Sequence, residues 1–335
     1  MQTVQLDEKK NVTIFEDQLV TTEKRPWFGS MPSQLGEDFS FVVMGDRCGM
    51  ATEGVFEKAL DMAKDLKPDF VLAVGDLIEG YWKSAADTHQ EWDDIDDKIA
   101  AMGLPFFPVI GNHDYSNQTM AEVWRERKGL DYYAFRVGDT LFLSLNTEHT
   151  PDEFSDAFID IIKRITADVK REPERANEHM SAFVDELKGT LSPEELQGFG
   201  KIKLSFGEEQ LAYFRRVLAN NADAKWTFVN MHKPGWKSES EEYQELIQML
   251  GNRSYTIFAG HLHAMEYARV GNAEFIQLGR TGGLAHGDGT NPSDENVVLW
   301  VTMRGGMPTY RVIHLDGVND LTAYQPHQHN HGESV

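Results

Sequence analysis

Apolar positions along this chain follow two patterns, and the pattern changes before the middle. In the first part, short fully apolar runs alternate with longer stretches that are apolar on one side only. Residues 41–44, 70–74 and 106–110 are such runs, with the length and composition of strands buried on both faces. Between the first two, Val55, Phe56, Ala59, Met62, Ala63 and Leu66 recur at helical spacing, from Thr52 as N-cap to a stop before Pro68. Between the second and third, Trp92, Ile95, Ile99 and Met102 do the same over about 85–102; core packing accounts for that stripe. Strand, helix and strand in this order predict parallel strands joined by right-handed crossovers. A short helix over about 119–127 follows.

From residue 132 the pattern becomes strand-rich. Residues 132–137, the turn Gly138-Asp139 and residues 141–145 predict an antiparallel hairpin. Residues 208–218 form a helix with Leu211, Phe214 and Leu218 on one face, and strands are predicted at 226–230, 255–259, 265–270, 274–278, 297–303 and 310–315. A glycine-rich loop, 279–289, interrupts them. Residues 152–205 are charged, helical in pattern and punctuated by Pro173 and Pro193. They are expected to form an inserted helical subdomain or lid, with a separate interaction module as the other reading. Pro26, Gly29, Pro32 and Gly36 mark residues 1–39 as an irregular lead-in, pinned to the body by Trp27 and Phe28. The polar tail, 323–335, is expected to be disordered. That leaves one main domain, 40–322, interrupted by the insertion.

Composition narrows the function. With 335 residues, 41% of them apolar and 11% aromatic, the chain can bury a large core. No run of 18 apolar residues exists, and the polar start lacks a signal-peptide core. The expectation is therefore no membrane span and a cytoplasmic protein. A net charge of -22 argues against nucleic-acid or anionic-membrane binding. A phosphorylated substrate would need local positive charge, such as metal ions. The single cysteine, Cys48, excludes an internal disulfide framework.

The chemistry sits where strands end. The first three apolar runs lead into Gly45-Asp46-Arg47-Cys48, Gly75-Asp76 and Gly111-Asn112-His113-Asp114; two later ones lead into Met231-His232 and Gly260-His261-Leu262-His263. Any one of these reads as a solvated turn or a packed histidine. Five together point to a site at the carboxyl edge of the sheets, where α/β proteins place ligands. Carboxylate oxygen, amide oxygen and imidazole nitrogen suit zinc, iron or manganese. The set exceeds the needs of one catalytic ion, and two divalent ions sharing a bridging carboxylate would use it.

In order and spacing these blocks resemble the calcineurin-like metallophosphoesterase superfamily, over residues 41 to about 314 apart from the insertion. The Gly-Asp-Arg-x-Gly form of the first block is similar to one subgroup of it. The resemblance implies two packed mixed β-sheets flanked by helices, which agrees with the parallel start and antiparallel finish read above. It implies a binuclear phosphoester hydrolase, a phosphatase or phosphodiesterase, acting through a hydroxide held on the metals and taking a phosphorylated small molecule. Asp76 would bridge the two ions (Mn, Fe or Zn). Asp46 and His263 would bind the first, and Asn112, His232 and His261 the second. His113 would protonate the leaving oxygen, with Asp114 holding its ring.

The chain departs from the family where a histidine is usual, two residues after the first aspartate; here it is Cys48. As a thiolate Cys48 would ligate zinc or iron; as a thiol it would be a small buried filler. Arg47 would contact substrate phosphate or make a structural salt bridge. Glu79 would bond a ligand or lie at the surface. Arg280 and its loop would border the site. His149 and His286 have no assigned role, and His327, His329 and His331 lie in the tail. The competing function is a metal-poor, non-catalytic scaffold that keeps the phosphoesterase fold.

Overall fold

Alternation of side chains along each strand decides how this protein is layered. The computed structural model describes residues 11–17, 19–32, 35–151, 154–192, 201–285, 295–315 and 317–321. In β2 (Phe39–Met44), Phe41 and Val43 face a core shared with a second sheet, while Val42 and Met44 face helices. With both faces buried, the strand has no polar side to give an alternating pattern, hence the continuous apolar run.

The first sheet has six strands in the order β13-β12-β11-β2-β3-β4. β2, β3 (Phe70–Ala73) and β4 (Phe106–Pro108) are parallel. β11 (Val297–Arg304), β12 (Met307–His314) and β13 (Gly317–Asp320) extend the other edge antiparallel. The crossovers are α1 (Val55–Leu66) and α2 (Ala85–Met102), with α3 (Gln118–Lys128) beside them. Ser84 caps α2 through the Asp87 N–H, and Gly103 ends it in the left-handed conformation. α1 starts two residues later than Thr52 would place it. Its N-cap is Gly54, at φ 82°, with no side-chain cap bond.

The second sheet has seven strands in the order β1-β5-β6-β7-β8-β10-β9. β5 (Tyr133–Val137) and β6 (Thr140–Ser144) are the expected hairpin. β6, β7 (Trp226–Asn230), β8 (Tyr255–Ala259) and β10 (Ala273–Gln277) are successively parallel, and β9 (Glu266–Val270) closes the edge antiparallel to β10. Phenylalanines lock the two sheets together: Phe41 meets Phe228 edge-on at 5.1 Å, Phe70 meets Phe142 at 5.5 Å and Phe107 stacks on Phe135 at 4.8 Å.

Three described elements lie outside the expected pattern, among them β13, which follows the last expected strand. The lead-in contains a strand, β1 (Val12–Phe15), paired antiparallel with β5. Four residues, three half-buried and one exposed, carry too little periodicity to reveal it, and the edge of the hairpin supplies the pairing. After α6 (Glu208–Asn220), a further helix, α7 (Glu241–Leu250), is capped by Ser240 and buries Tyr243, Leu246 and Leu250 on the second sheet. The described residues of the insertion include two packed helices, α4 (Asp156–Arg171) and α5 (Ala176–Thr190), joined through a 3-10 turn, Pro173–Arg175. Among the described residues no helix is long and apolar enough to cross a membrane.

Candidate metal centre

The carboxyl ends of β2, β3 and β4 meet those of β7 and β8 across the inter-sheet core. That convergence brings Asp46, Cys48, Asp76, Asn112, His113, His232, His261 and His263 into one cluster. Three sets of ligand atoms fall within 4.8 Å of one another: Asp46, Asp76 and His263; Asp76, His232 and His261; and Cys48, Asp76 and His113. Asp76 belongs to all three.

The backbone is strained where it presents these groups. Asp46, Asp76, His261 and His263 adopt φ of 53°, 56°, 73° and 57°, a region that side chains with a Cβ enter at a cost and that recurs at functional sites. Two glycines make room. A Cβ on Gly111 would lie 2.1 Å from Asp76 Oδ1, and one on Gly260 would lie 2.3 Å from Asp46 Oδ2.

Within the cluster, His232 Nε2 lies 2.9 Å from Asn112 Oδ1 and 3.2 Å from Asp76 Oδ2, and His261 Nδ1 lies 2.8 Å from Asn112 Oδ1. The other nitrogens of the histidines are held by carbonyls: His232 Nδ1 by Val74 O at 2.8 Å, His263 Nδ1 by Leu284 O at 2.6 Å. A carbonyl can only accept, so each Nδ1 carries a proton and Nε2 faces the cluster, where a cation would take the place of any proton on it.

Charge and hydrogen bonding both fit divalent ions. Asp46 Oδ2 is buried with no hydrogen-bond partner, which is costly unless something cationic meets it. Burial pushes Asp46 up to about 8, against the pull of His232. Burial also raises Asp76, but His232 and His113 outweigh it and hold that carboxyl well below its usual range. His232 is lowered by burial, yet Asp76 and Asp46 lift it to about 9. Burial and the surrounding carboxylates push the Cys48 thiol well up. Acidic groups this costly to ionise, buried in one place, match a cationic centre that would offset the cost.

Asp114 does not hold the His113 ring. Its buried carboxylate accepts four backbone N–H groups instead: Asp76 at 2.8 Å, Leu77 at 2.8 Å, Ile78 at 3.2 Å and Gly111 at 2.9 Å. The turn after β3 has no ladder partner for the first three of these donors, so a side chain supplies one. His113 is oriented by the Glu79 carbonyl, 2.8 Å from Nδ1.

Arg47 turns to protein. Its Nη1 donates to Leu77 O at 3.2 Å and lies 3.9 Å from Glu91. The Glu79 carboxylate gathers the N–H groups of Gly49, Met50 and Ala51. Glu91, on α2, caps Glu79 N, Gly80 N and Trp82 Nε1. No sequence signal separates Glu91 from a surface glutamate. Arg280 donates to Gly283 O at 2.9 Å and to Asn296 Oδ1 at 3.3 Å. Its loop touches the site through backbone, Thr281 N and Gly283 N donating to Asp46 O. His149 packs beside Gly207 and donates its N–H to Ser205 O. His286, His327, His329 and His331 lie outside the described residues, as do residues 286–289 of the glycine-rich loop and the tail.

Comparisons with known proteins agree with this geometry. The chain is 28% identical over 158 residues to the serine/threonine-protein phosphatase CPPED1 of Rattus norvegicus, covering 41% of this chain and 49% of that one. It is 34% identical over 91 residues to the Homo sapiens protein of that name, covering 24% and 27%. The match therefore spans about half the length of the rat relative, or less for the human one. Its fold is similar to the crystal structure of a dimetal phosphatase from Danio rerio, with a TM-score of 0.54 at 14% identity over 84% of this chain and 98% of that one. It is also similar to PhoD, with a TM-score of 0.51 at 11% identity over 88% and 73%. A family model described as calcineurin-like phosphoesterase matches residues 39–265. On that match, carried by the strand ends just described, the chain belongs to the calcineurin-like phosphoesterase family.

Proposed function

We propose that this protein hydrolyses phosphoesters of small molecules with two divalent metal ions. The observation that carries the reading is the shared position of Asp76, whose carboxylate lies within reach of both histidine groups beside the unpartnered Asp46 Oδ2. Asp46, Asp76 and His263 would hold one ion, with the Cys48 sulfur on the same side. Asp76, Asn112, His232 and His261 would hold the other. Manganese, iron or zinc suits this donor set. Such a pair supplies Lewis acidity and positive charge, and it makes water a better nucleophile near neutral pH.

The chain's own residues do the rest. His113, with Nδ1 tied to a carbonyl, directs Nε2 to the substrate and, as the imidazolium carrying a proton on each nitrogen, gives the Nε2 proton to the departing oxygen. Arg47 and Arg280 brace the loops that border the phosphate position. Residues 40–322 are the catalytic unit, with residues 152–205 inserted in it.

The test is metal content after purification, with hydrolysis of 4-nitrophenyl phosphate and bis(4-nitrophenyl) phosphate in added manganese or zinc. Two ions per chain and turnover of either ester are expected. No bound metal and no turnover would leave the scaffold reading. In cobalt-loaded protein, a near-ultraviolet thiolate band that Cys48→Ser abolishes is expected.

A further inference from the structure

The packing around His113 involves a residue that neither the metal cluster nor the family motifs use. Tyr81 is buried, and its ring centroid lies 4.9 Å from that of His113, the planes near-perpendicular at 79°. Its backbone sits at φ 56°, an outlier for a bulky residue that persists only where its surroundings enforce it. The enforcement is visible. Tyr81 N donates to Ser116 Oγ at 2.8 Å. Gly80 lies so close to the His113 backbone that a Cβ there would stand 2.0 Å from His113 O.

The insertion grips the same loop from outside. Lys163 of α4 donates to the Gly80 carbonyl, and its Nζ stands 3.2 Å from the Trp82 ring centroid. Phe154 and Phe158 meet the Tyr81 ring at 5.7 and 6.2 Å. Lys83, next along, pairs with Asp156 at 2.7 Å. Residues 80–83 are thus each held by the start of the insertion, and the ring they carry lies against the imidazole.

We propose that Tyr81 is a positioning residue for His113, kept in place by the α4–α5 hairpin, so that the insertion sets how the proton is delivered to the leaving oxygen. One carbonyl bond at Nδ1 still permits the imidazole to swing about that bond. A buried ring packed against it removes this freedom and keeps Nε2 aimed, which is the geometric requirement for proton transfer. The inference rests on the reading of His113 as leaving-group acid.

The experiment compares phenyl phosphate, whose leaving group needs a proton, with 4-nitrophenyl phosphate, whose leaving group scarcely does. In Tyr81→Ala, kcat for phenyl phosphate is expected to fall about tenfold further than kcat for 4-nitrophenyl phosphate, a fraction of what a general acid contributes. Metal content should stay at the wild-type level, and Tyr81→Phe should keep both rates, because the ring makes the contact. Lys163→Met should move the ratio the same way by less, and it decides the matter should Tyr81→Ala not fold. Equal losses on both substrates, loss of metal, or a wild-type ratio in Lys163→Met would overturn the inference. His113→Ala separates the two levels. If it shows no leaving-group dependence, the acid reading falls and this one with it; if it does and Tyr81→Ala does not, only the positioning role falls.

Discussion

Asp114→Asn tests the central geometric finding of the site, because it removes one acceptor and almost no volume. The carboxylate serves two pairs of donors: Oδ2 receives Asp76 N and Gly111 N, and Oδ1 receives Leu77 N and Ile78 N. Asparagine has one carbonyl oxygen. Whichever way it turns, its NH2 faces two buried N–H donors that then lack an acceptor. At about 1–3 kcal/mol for each orphaned buried donor, the loss is roughly 2–6 kcal/mol. Removing the charge returns part of this, since burial and the adjacent Asp76 carboxylate push Asp114 up to about 7. A net destabilisation of about 2–4 kcal/mol is expected, a large share of the about 5–15 kcal/mol that holds a domain folded. Urea unfolding should show the midpoint fall with little change in slope. Turnover should fall with metal affinity, because residues 76–78 are the backbone that loses its anchor. A variant with an unchanged midpoint, full metal content and the low turnover of His113→Ala would refute the reasoning and return Asp114 to the role of ring support.

Other outcomes follow from the same contacts. Asp76→Ala should lose metal and hydrolysis together, measured by metal analysis and ester turnover; retention of both ions would contradict the shared position. His113→Ala should lower turnover by about 10²–10⁴-fold with metal content unchanged; losing metal instead would make the imidazole a ligand. Gly111→Ala should weaken metal binding and lower the melting temperature, since its Cβ would lie 2.3 Å from Asp76 N and 2.1 Å from Oδ1, so the β4 end must move. Phe70→Ala, which removes ring contacts to Phe41, Phe107, Phe135 and Phe142, should cost about 3–5 kcal/mol in denaturant unfolding, without changing the leaving-group ratio of the folded enzyme.

Much of this protein is written locally. A strand buried on both faces must be an uninterrupted apolar run, so β2, β3 and β4 are visible in the sequence, and the polar residue ending each run is visible as a candidate ligand. The same holds for His232, His261 and His263, because type and position relative to a strand are properties of a few consecutive residues. The amphipathic stripe of α2 and the hairpin of β5 and β6 are legible for the same reason.

What depends on contact between distant segments was not legible. Asp76 becomes common to both histidine groups only when β7 and β8 of one sheet meet β3 of the other. Neighbours in sequence suggest that Asp114 holds His113. In space the aspartate faces a turn some 36–38 residues earlier in the chain, because three unpaired N–H groups there need an acceptor more than the imidazole does. Glu79, whose carbonyl orients His113, and Glu91, which caps its loop, look like surface glutamates until that loop folds back on them. β1 exists only because β5 offers it an edge, and the ring of Tyr81 links the insertion to His113. The sequence by itself determined which groups can do chemistry and that they end strands. The tertiary structure decided which of them touch, since hydrogen-bond demand and packing are settled between segments far apart in the chain.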